Sequence, residues 1–310
     1  MTEWAELRRR AQAGKDAAPR LYRVHRRLSI HVTRALVRTA ISADAVSLAM
    51  MVAAGAGTLL MAAADLRVNG AGAALLYLGF LLDKVDGELA RVRGTPSVRG
   101  ILLDRFHHRV VEPALFAAAA AHAYRHDTAP GVLVAAAACM LFANTIEENQ
   151  QLAPYILHKH LREGGRVPPA PAEHPWLRRL GRTLRPLKAL RMHIVVLPLV
   201  MLAYVGEAAS GWPLTRAYLE GSAVTLGVYL AFQCVDYAAC RLELETRQVA
   251  ASFARAHTRD PGSWESLSEA TPGPEAPTGR PSQAATRPAP RPRRASESPH
   301  HPSSQEARTR

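Results

Sequence analysis

Long runs of apolar residues, separated by short polar stretches, make up most of the chain between residues 45 and 237. A helical bilayer span needs about 20 mostly apolar residues, and six segments come close to this length. They are residues 45–64, 71–91, 106–124, 131–148, 192–208 and 216–237. The pattern predicts an all-α, polytopic membrane protein with about six transmembrane helices.

The stretch before the first apolar run alternates between apolar and basic positions. From Leu28 to Ile41, apolar side chains recur at helical spacing between Arg34 and Arg38. A helix with one apolar and one basic face lies in the membrane interface. We therefore expect an N-terminal amphipathic interfacial helix, preceded by a basic segment over residues 1–24.

The C-terminal part of the chain has a different composition. From about residue 257 it is rich in Pro, Ser, Arg and His and has no periodicity. Such a segment buries too little apolar surface to fold alone. We therefore predict a membrane domain over residues 25–245 and a disordered cytoplasmic tail over residues 246–310.

The chain carries a formal net charge of +13, a value that raises the question of a nucleic acid partner. Its basic residues flank the apolar runs and do not interleave with aromatic residues, so we predict contact with anionic membrane lipid and no nucleic acid. Residues 91–109, residues 158–191 and both ends of the chain are the basic regions. The loops near 65–70 and 125–130 are short and carry few cations.

Lys and Arg concentrate on the cytoplasmic side of membrane proteins. We therefore expect an integral protein of the inner-membrane type, with both termini and the segment 83–109 facing the cytoplasm. The proline-rich stretch 159–190 is expected to be a surface excursion.

Charged residues lie where the second and third apolar runs approach each other in sequence. If the first of these segments is helical, two carboxylates, two small residues and one guanidinium share a face: Asp83, Asp86, Gly87, Ala90 and Arg91. After a turn at residues 94–96, a second polar stripe recurs at every fourth position. It consists of Gly100, Asp104, His108 and Glu112.

These residue types suit chemistry on a diphosphate. Carboxylates are hard ligands for Mg²⁺ or Mn²⁺, which commonly bridge protein and phosphate oxygens. Arg91 can hold a phosphate with two donors, while Gly87 and Ala90 leave room for a nucleotide near the backbone. Charges at membrane depth are costly, so their presence in an apolar setting indicates a functional site.

The run from Asp83 to His108 resembles the motif of the class I CDP-alcohol phosphatidyltransferase family, D-x2-D-G-x2-A-R-x8-G-x3-D-x3-D. Seven of its eight positions match, from Asp83 to Asp104, and His108 stands in place of the last aspartate. The preceding segment also resembles the amphipathic helix and first span of that family. There Ala43-Asp44 and Ser47 replace the usual Pro-Asn and Thr.

The resemblance implies a dimeric six-helix core with a cavity that faces the cytoplasm. The implied reaction moves a phosphatidyl or other substituted phosphate group from a CDP-alcohol to a hydroxyl acceptor, with release of CMP, in phospholipid biosynthesis. Two divalent ions, Mg²⁺ or Mn²⁺, are implied on Asp83, Asp86, Asp104 and His108. The donor nucleotide is implied to bind at Asp83, Gly87, Ala90, Arg91 and Gly100.

The histidine at the last motif position leaves three hypotheses. His108 itself can be the catalytic base, because its unperturbed pKa of about 6.5 suits proton abstraction near neutrality. Glu112, one helical turn further on, can replace the missing carboxylate. The third hypothesis is a silent protein that binds nucleotide or lipid without turnover. We favour the first, and an imidazole among the ligands suits Mn²⁺ better than Mg²⁺.

Two further expectations concern neighbouring residues. Arg185, Lys188 and Arg191 precede the fifth apolar run and are candidates for binding a phosphorylated acceptor, although ordinary anchoring at the cytoplasmic side is the favoured interpretation of each one taken singly. His107 is expected to lie at the interface, outside the site. An intramembrane prenyltransferase also uses aspartates and Mg²⁺, but the motif spacing argues against it.

Overall fold

The computed structural model of the protein describes residues 3–13, 20–169, 171–172 and 174–259, and over these residues the chain is helical without a strand. The eleven α-helices of the described chain are α1 (Glu3–Ala11), α2 (Arg20–Val37), α3 (Ala43–Met61), α4 (Leu66–Arg93), α5 (Val98–Phe106), α6 (Glu112–Tyr124), α7 (Gly131–Arg162), α8 (Pro175–Leu184), α9 (His193–Ser210), α10 (Leu214–Asp236) and α11 (Leu242–Arg259). π-helical turns at His107–Val111 and Tyr237–Arg241 join α5 to α6 and α10 to α11, and a 3₁₀ segment, Arg185–Arg191, follows α8.

Five helical segments are long and apolar enough to cross a membrane: α3, α4, α7, α9 and the continuous run Leu214–Ala254. The polytopic all-α prediction is thereby confirmed, although the third expected span differs. Residues 106–124 belong to a helical run that the π-helical turn at His107–Val111 divides, and α6 has only 13 residues. The π-helical turn contains an extra residue, which changes the course of the helix locally. The pattern of apolar residues did not predict this turn.

Two expected boundaries also differ from the observed ones. The amphipathic helix α2 extends from Arg20 to Val37, so it begins and ends earlier than Leu28 and Ile41. The stretch 159–190 is partly helical, because α7 continues to Arg162 and α8 packs Leu177 into the core. Prolines in that stretch had suggested a loop, but Pro175 begins α8 at a position where the missing N–H costs nothing.

The chain divides into the compact unit Met1–Ala256 and a second unit, His257–Arg310. The second unit lies almost wholly outside the described residues, and so does most of the tail expected to be disordered. Helix α11 covers residues 242–259 of the chain. The domain limits at residues 24/25 and 245/246 stay predictions.

Helices α3 and α4 approach each other at two glycines. A methyl group added to Gly57 would lie 2.7 Å from the carbonyl oxygen of Gly72 and 2.8 Å from the amide nitrogen of Leu76. The reciprocal methyl on Gly72 would lie 2.8 Å from the oxygen of Gly57. Small residues permit this backbone contact where apolar burial alone gives little drive for helix association. The contact fixes the position of α4, the helix that carries Asp83.

A buried carboxylate joins the interfacial helix to α4. Glu88 is fully buried, and its two oxygens accept hydrogen bonds of 2.8 Å from Ser29 and from Thr33. Gln12 donates a further bond of 3.1 Å, and Arg26 lies 3.8 Å away. Since a buried charge is tolerated only when it is paired and hydrogen-bonded, this network ties Gln12 and helix α2 to the middle of the α4 motif.

Polar side chains close the bundle at the end remote from the motif. The amide of Asn69 donates to the backbone oxygens of Met61 and Ala63, and the hydroxyl of Tyr204 donates to Met61 over 2.9 Å. The ring of His122 lies 2.7 Å from the oxygen of Ala63 and stacks on Tyr204. These bonds satisfy the last carbonyls of α3, which a helix leaves without partners of its own.

We predict that Gly57→Ala lowers the free energy of unfolding by roughly 1–3 kcal/mol, because the added methyl separates two backbones in contact. Unfolding by titration with sodium dodecyl sulfate in mixed micelles measures the change. Gly55→Ala on the same helix is the matched control, since nothing lies within 4 Å of its added methyl. Equal stabilities of the two variants would contradict the proposed backbone contact.

Candidate active site

A cavity of about 380 Å³ opens where the end of α4, the start of α3 and helix α5 meet. Every residue of the sequence motif from Asp83 to His108 lines it: Asp83, Asp86, Gly87, Ala90, Arg91, Gly100, Asp104 and His108. The turn between the two motif helices also contributes. Gly94 ends α4 with φ +67°, a left-handed conformation that favours glycine, and Ser97 begins the next helix.

Asp83, Asp104 and His108 converge in this cavity. One potential ligand atom from each lies within 4.8 Å of the others. The Nε2 atom of His108 is 3.8 Å from Asp83 Oδ1 and 3.5 Å from Asp104 Oδ1. Two carboxylates from separate helices therefore face one imidazole nitrogen, an arrangement that fits a divalent cation of the kind bound by oxygen and nitrogen ligands.

Glu112 holds the opposite side of the same imidazole. Its Oε1 accepts a hydrogen bond of 3.0 Å from Nδ1 of His108. Burial lowers the pKa of His108, but the hydrogen bonds to Asp104 and Glu112 outweigh that effect and raise the pKa to about 11, which favours the protonated ring. Once cations neutralise the aspartates, a neutral ring with Nδ1 donating would carry its lone pair on Nε2, which faces them. This geometry resembles the carboxylate–histidine pairs that fix a tautomer and orient a ring. Glu112 is thus placed to orient His108. It does not line the cavity, although a carboxylate that replaced the missing aspartate as base would have to do so.

Asp86 lies beside this group without joining it. Its Oδ2 accepts a hydrogen bond of 2.6 Å from the hydroxyl of Ser47 on α3. The side chain lines the cavity and is nearly buried. Three of the four expected metal ligands, Asp83, Asp104 and His108, lie close enough together to bind one ion. Asp86 lines the same cavity but lies outside this group.

The chain supplies its own cation next to Asp83. The ammonium of Lys84 forms an ion pair with Asp83 and also lies 4.7 Å from the ring centre of Phe80 and 5.5 Å from that of Tyr22. Burial raises the pKa of Tyr22 to about 12, with Glu112 and Asp83 adding to the effect. The interfacial helix α2 therefore reaches the charged cluster from the side of α4.

Arg91 and the two motif glycines shape one end of the cavity. Nε of Arg91 donates a hydrogen bond of 2.7 Å to the backbone oxygen of Ala11. A methyl group added to Gly87 would lie 3.2 Å from Nη1 of Arg91. At Gly100 an added methyl would approach Ser97 Oγ to 3.1 Å. Side chains at these two glycines would fill the space next to Arg91 and the start of α5.

Several cavity residues were not predicted as site residues. Asp44 accepts a hydrogen bond of 2.7 Å from Ser97, whose oxygen also accepts from the backbone N–H of Gly100. Asp44 was identified from the sequence only as a departure from the family pattern. Nothing in the sequence except their charge indicated that Lys84 and Arg26 would line the cavity. His107 was expected at the interface, but only 1% of its surface is exposed.

A family model for CDP-alcohol phosphatidyltransferases matches residues 40–229, which is more than half of the chain. The chain therefore belongs to the CDP-alcohol phosphatidyltransferase family. It is a membrane-embedded transferase of phospholipid biosynthesis, and its donor is a CDP-linked alcohol.

Two solved structures of the phosphatidylinositol phosphate synthase of Mycobacterium tuberculosis are similar to this chain. The first has CDP-DAG bound and gives 21% identity with a TM-score of 0.45, covering 69% of this chain and 96% of that one. The second is in complex with manganese and citrate and gives 21% identity with a TM-score of 0.46, covering 69% and 90%. A comparison with curated proteins finds no match.

Proposed function

We propose that this transferase is metal-dependent and uses His108 as its catalytic base. The observation that carries the proposal is the position of the imidazole, which lies between Glu112 on one side and the two aspartates on the other. If His108 had only replaced the family aspartate without taking over its function, a carboxylate hydrogen-bonded to its Nδ1 would serve no purpose. The geometry therefore favours an active enzyme over a silent one.

The metal ions of this proposal are Mg²⁺ or Mn²⁺, with two ions per site. Asp83, Asp86 and Asp104 provide the oxygen ligands, and carboxylate oxygens are the ligands that such ions prefer. Bound ions would neutralise charge on the diphosphate of the donor and on the departing CMP. Lys84 offsets part of the same charge in the structure, through its ion pair with Asp83.

The donor nucleotide is proposed to lie along the α4 face. Gly87 and Ala90 leave space beside the backbone, and Gly100 does the same at the start of α5. Arg91 has one nitrogen engaged by Ala11, which holds the guanidinium in place, and its remaining donors can bind phosphate oxygens. An interaction of this kind fixes the diphosphate relative to Asp83.

The proposed chemical step is an attack by the acceptor hydroxyl on the phosphorus that carries the donor alcohol. His108 Nε2 takes the hydroxyl proton, the new oxygen–phosphorus bond forms, and the bond to the CMP oxygen breaks. Since Nε2 has a single lone pair, it cannot take a proton while it ligates an ion. We therefore assign His108 to the proton and the aspartates to the metals, and Glu112 keeps the imidazole oriented.

A phosphorylated acceptor would suit a group of cations near the fifth span. Burial and the neighbouring Arg191 lower the pKa of Lys188. Arg185 pairs with Asp236, and Arg191 pairs with Glu147. Among the described residues no carboxylate pairs with Lys188, so an incoming phosphate would relieve the repulsion between these cations.

The location of the enzyme completes the proposal. We propose that the cavity and both termini face the cytoplasm at an inner-membrane type of bilayer, because basic loops favour that side. We also propose that the protein forms a homodimer, as the family resemblance implies.

We predict that His108→Ala reduces transfer by at least about 10²-fold, the contribution of a positioned general base. His108→Asp restores part of the activity, because a carboxylate at this position can also accept the proton. Release of CMP from CDP-diacylglycerol, with candidate acceptors and with or without Mn²⁺, measures the effect.

The matched control for this assay is His126→Ala, a histidine at the remote end of the bundle near His122. It should leave CMP release close to the wild-type level. Affinity for Mn²⁺ should change little in His108→Ala if the residue acts on the proton alone. Full activity of His108→Ala would exclude His108 as the base, and no CMP release from the wild type would exclude the transferase mechanism.

We predict that the cavity opens to the cytoplasm, and cysteine labelling can test this. Val98 lies in the first turn of α5 and is 85% exposed, whereas Trp212 lies at the other end of the bundle and is 70% exposed. Each is replaced by cysteine in a chain that carries Cys234→Ser. An impermeant maleimide should label Val98→Cys in everted vesicles and Trp212→Cys in intact cells. The reverse pattern would contradict the proposed orientation.

A further inference from the structure

A second group of potential ligands lies next to the proposed active site. His107, Glu112 and His193 each offer one ligand atom, and these atoms lie within 4.8 Å of one another. The three residues come from the π-helical turn, the start of α6 and the start of α9. Neither histidine lines the cavity that contains Asp83 and Asp104, so this group adjoins the proposed active site and shares only Glu112 with it.

Both histidines are buried with ring nitrogens that have no partner among the described residues. His193 is 3% exposed and His107 is 1% exposed. Within the described part of the chain, neither Nδ1 nor Nε2 of His193 has a hydrogen bond, and Nδ1 of His107 has none. Buried polar groups are nearly always hydrogen-bonded because an unpaired one is destabilising. Three such atoms next to a carboxylate indicate that this group is built to hold a ligand.

The π-helical turn is what brings His107 and Glu112 together. In a regular α-helix, a residue five positions further on lies about 140° around the axis. Here the backbone N–H of Glu112 donates to the oxygen of His107, a bond across five residues that widens the turn. Turns of this type are frequent at functional sites. The same turn lets Glu112 face His108 and His107 at once.

We propose that His107, Glu112 and His193 form a zinc-binding site. Two neutral imidazoles and one carboxylate are a common ligand set for tetrahedral Zn²⁺. A carboxylate has two oxygens, so Glu112 can hold His108 through Oε1 and still bind an ion through the other. Nitrogen ligands also favour zinc over Mg²⁺, which binds oxygen ligands.

The proposed site has a route of access and a role. A cavity of about 360 Å³, lined by His193, Tyr77, Phe80 and Leu197 among others, adjoins the group. It gives an ion a way in from the side of α2 and α9. Once bound, the ion would tie α9 to the π-helical turn and fix Glu112, the residue that orients His108. Zinc would thus position the base without touching the substrates.

The test is zinc binding by the full-length protein, purified in detergent without a polyhistidine tag. The wild type is loaded with Zn²⁺ and passed through gel filtration, and metal content is measured by mass spectrometry. We expect about one zinc ion per chain, and at least about tenfold less in His193→Leu. Asp104→Asn, which alters the aspartate cluster alone, and His122→Gln, a buried histidine at the remote end, should keep the zinc.

Cobalt spectroscopy is a second test of the site, and it does not depend on the folding of His193→Leu. Co²⁺ in the wild type should give the visible absorption of a tetrahedral ion. His193→Cys should retain the metal and add a sulfur-to-cobalt charge-transfer band. The proposal is overturned if the wild type retains no zinc, if folded His193→Leu retains as much as the wild type, if Asp104→Asn loses the zinc, or if the sulfur band is absent.

Discussion

The structure depends on the balance of negative charge that α4 and α5 bring to the edge of the membrane. Asp83, Asp86 and Asp104 line one cavity of about 380 Å³. Carboxylates at this depth are costly unless cations or hydrogen bonds compensate them. Lys84, Ser47 and the ring of His108 give partial compensation in the chain itself. Divalent ions would supply the rest, and the same ions would neutralise charge on the diphosphate of a donor.

Packing elsewhere in the bundle serves this charge cluster. The glycine contact between α3 and α4 sets the height and rotation of α4, and the Glu88 network holds α2 against its other side. The π-helical turn then places His108 in the cavity and Glu112 behind its ring, at Nδ1. A shift of the turn by one residue would rotate His108 away from both aspartates. The proposed base therefore depends on a local irregularity of the backbone as much as on the motif.

Much of the site could be predicted from spacing alone. The interval between Asp83 and Asp86 puts both on one helical face, and the four-residue interval from Gly100 to His108 does the same on the next helix. The helical class was foreseen from the lengths and periodicity of the apolar runs, and the family from the resemblance of the run from Asp83 to His108 to its motif. Residue roles within the cavity stay predictions, because their chemistry depends on substrates.

The features that sequence could not give arise from contacts between distant segments or from irregular backbone. A π-helical turn has no composition signal, so the burial of His107 and its approach to His193, 86 positions away along the chain, were invisible. The ion pair of Lys84 with its own neighbour Asp83 depends on a side-chain direction set by Phe80. Prolines near Pro175 suggested a loop, but proline also begins helices, and only packing of Leu177 decides between the two.

Binding of Mn²⁺ to the purified full-length protein, followed by electron paramagnetic resonance, tests the central claim most directly. Asp127→Asn is the matched control, because that carboxylate lies in a loop where a hydrogen bond from Arg216 lowers its pKa. The account predicts that Asp83→Asn and Asp104→Asn each weaken Mn²⁺ binding by at least about tenfold, since each removes a charged oxygen ligand, while Asp127→Asn binds like the wild type. Equal affinities in all four proteins would contradict a metal site formed by these two helices.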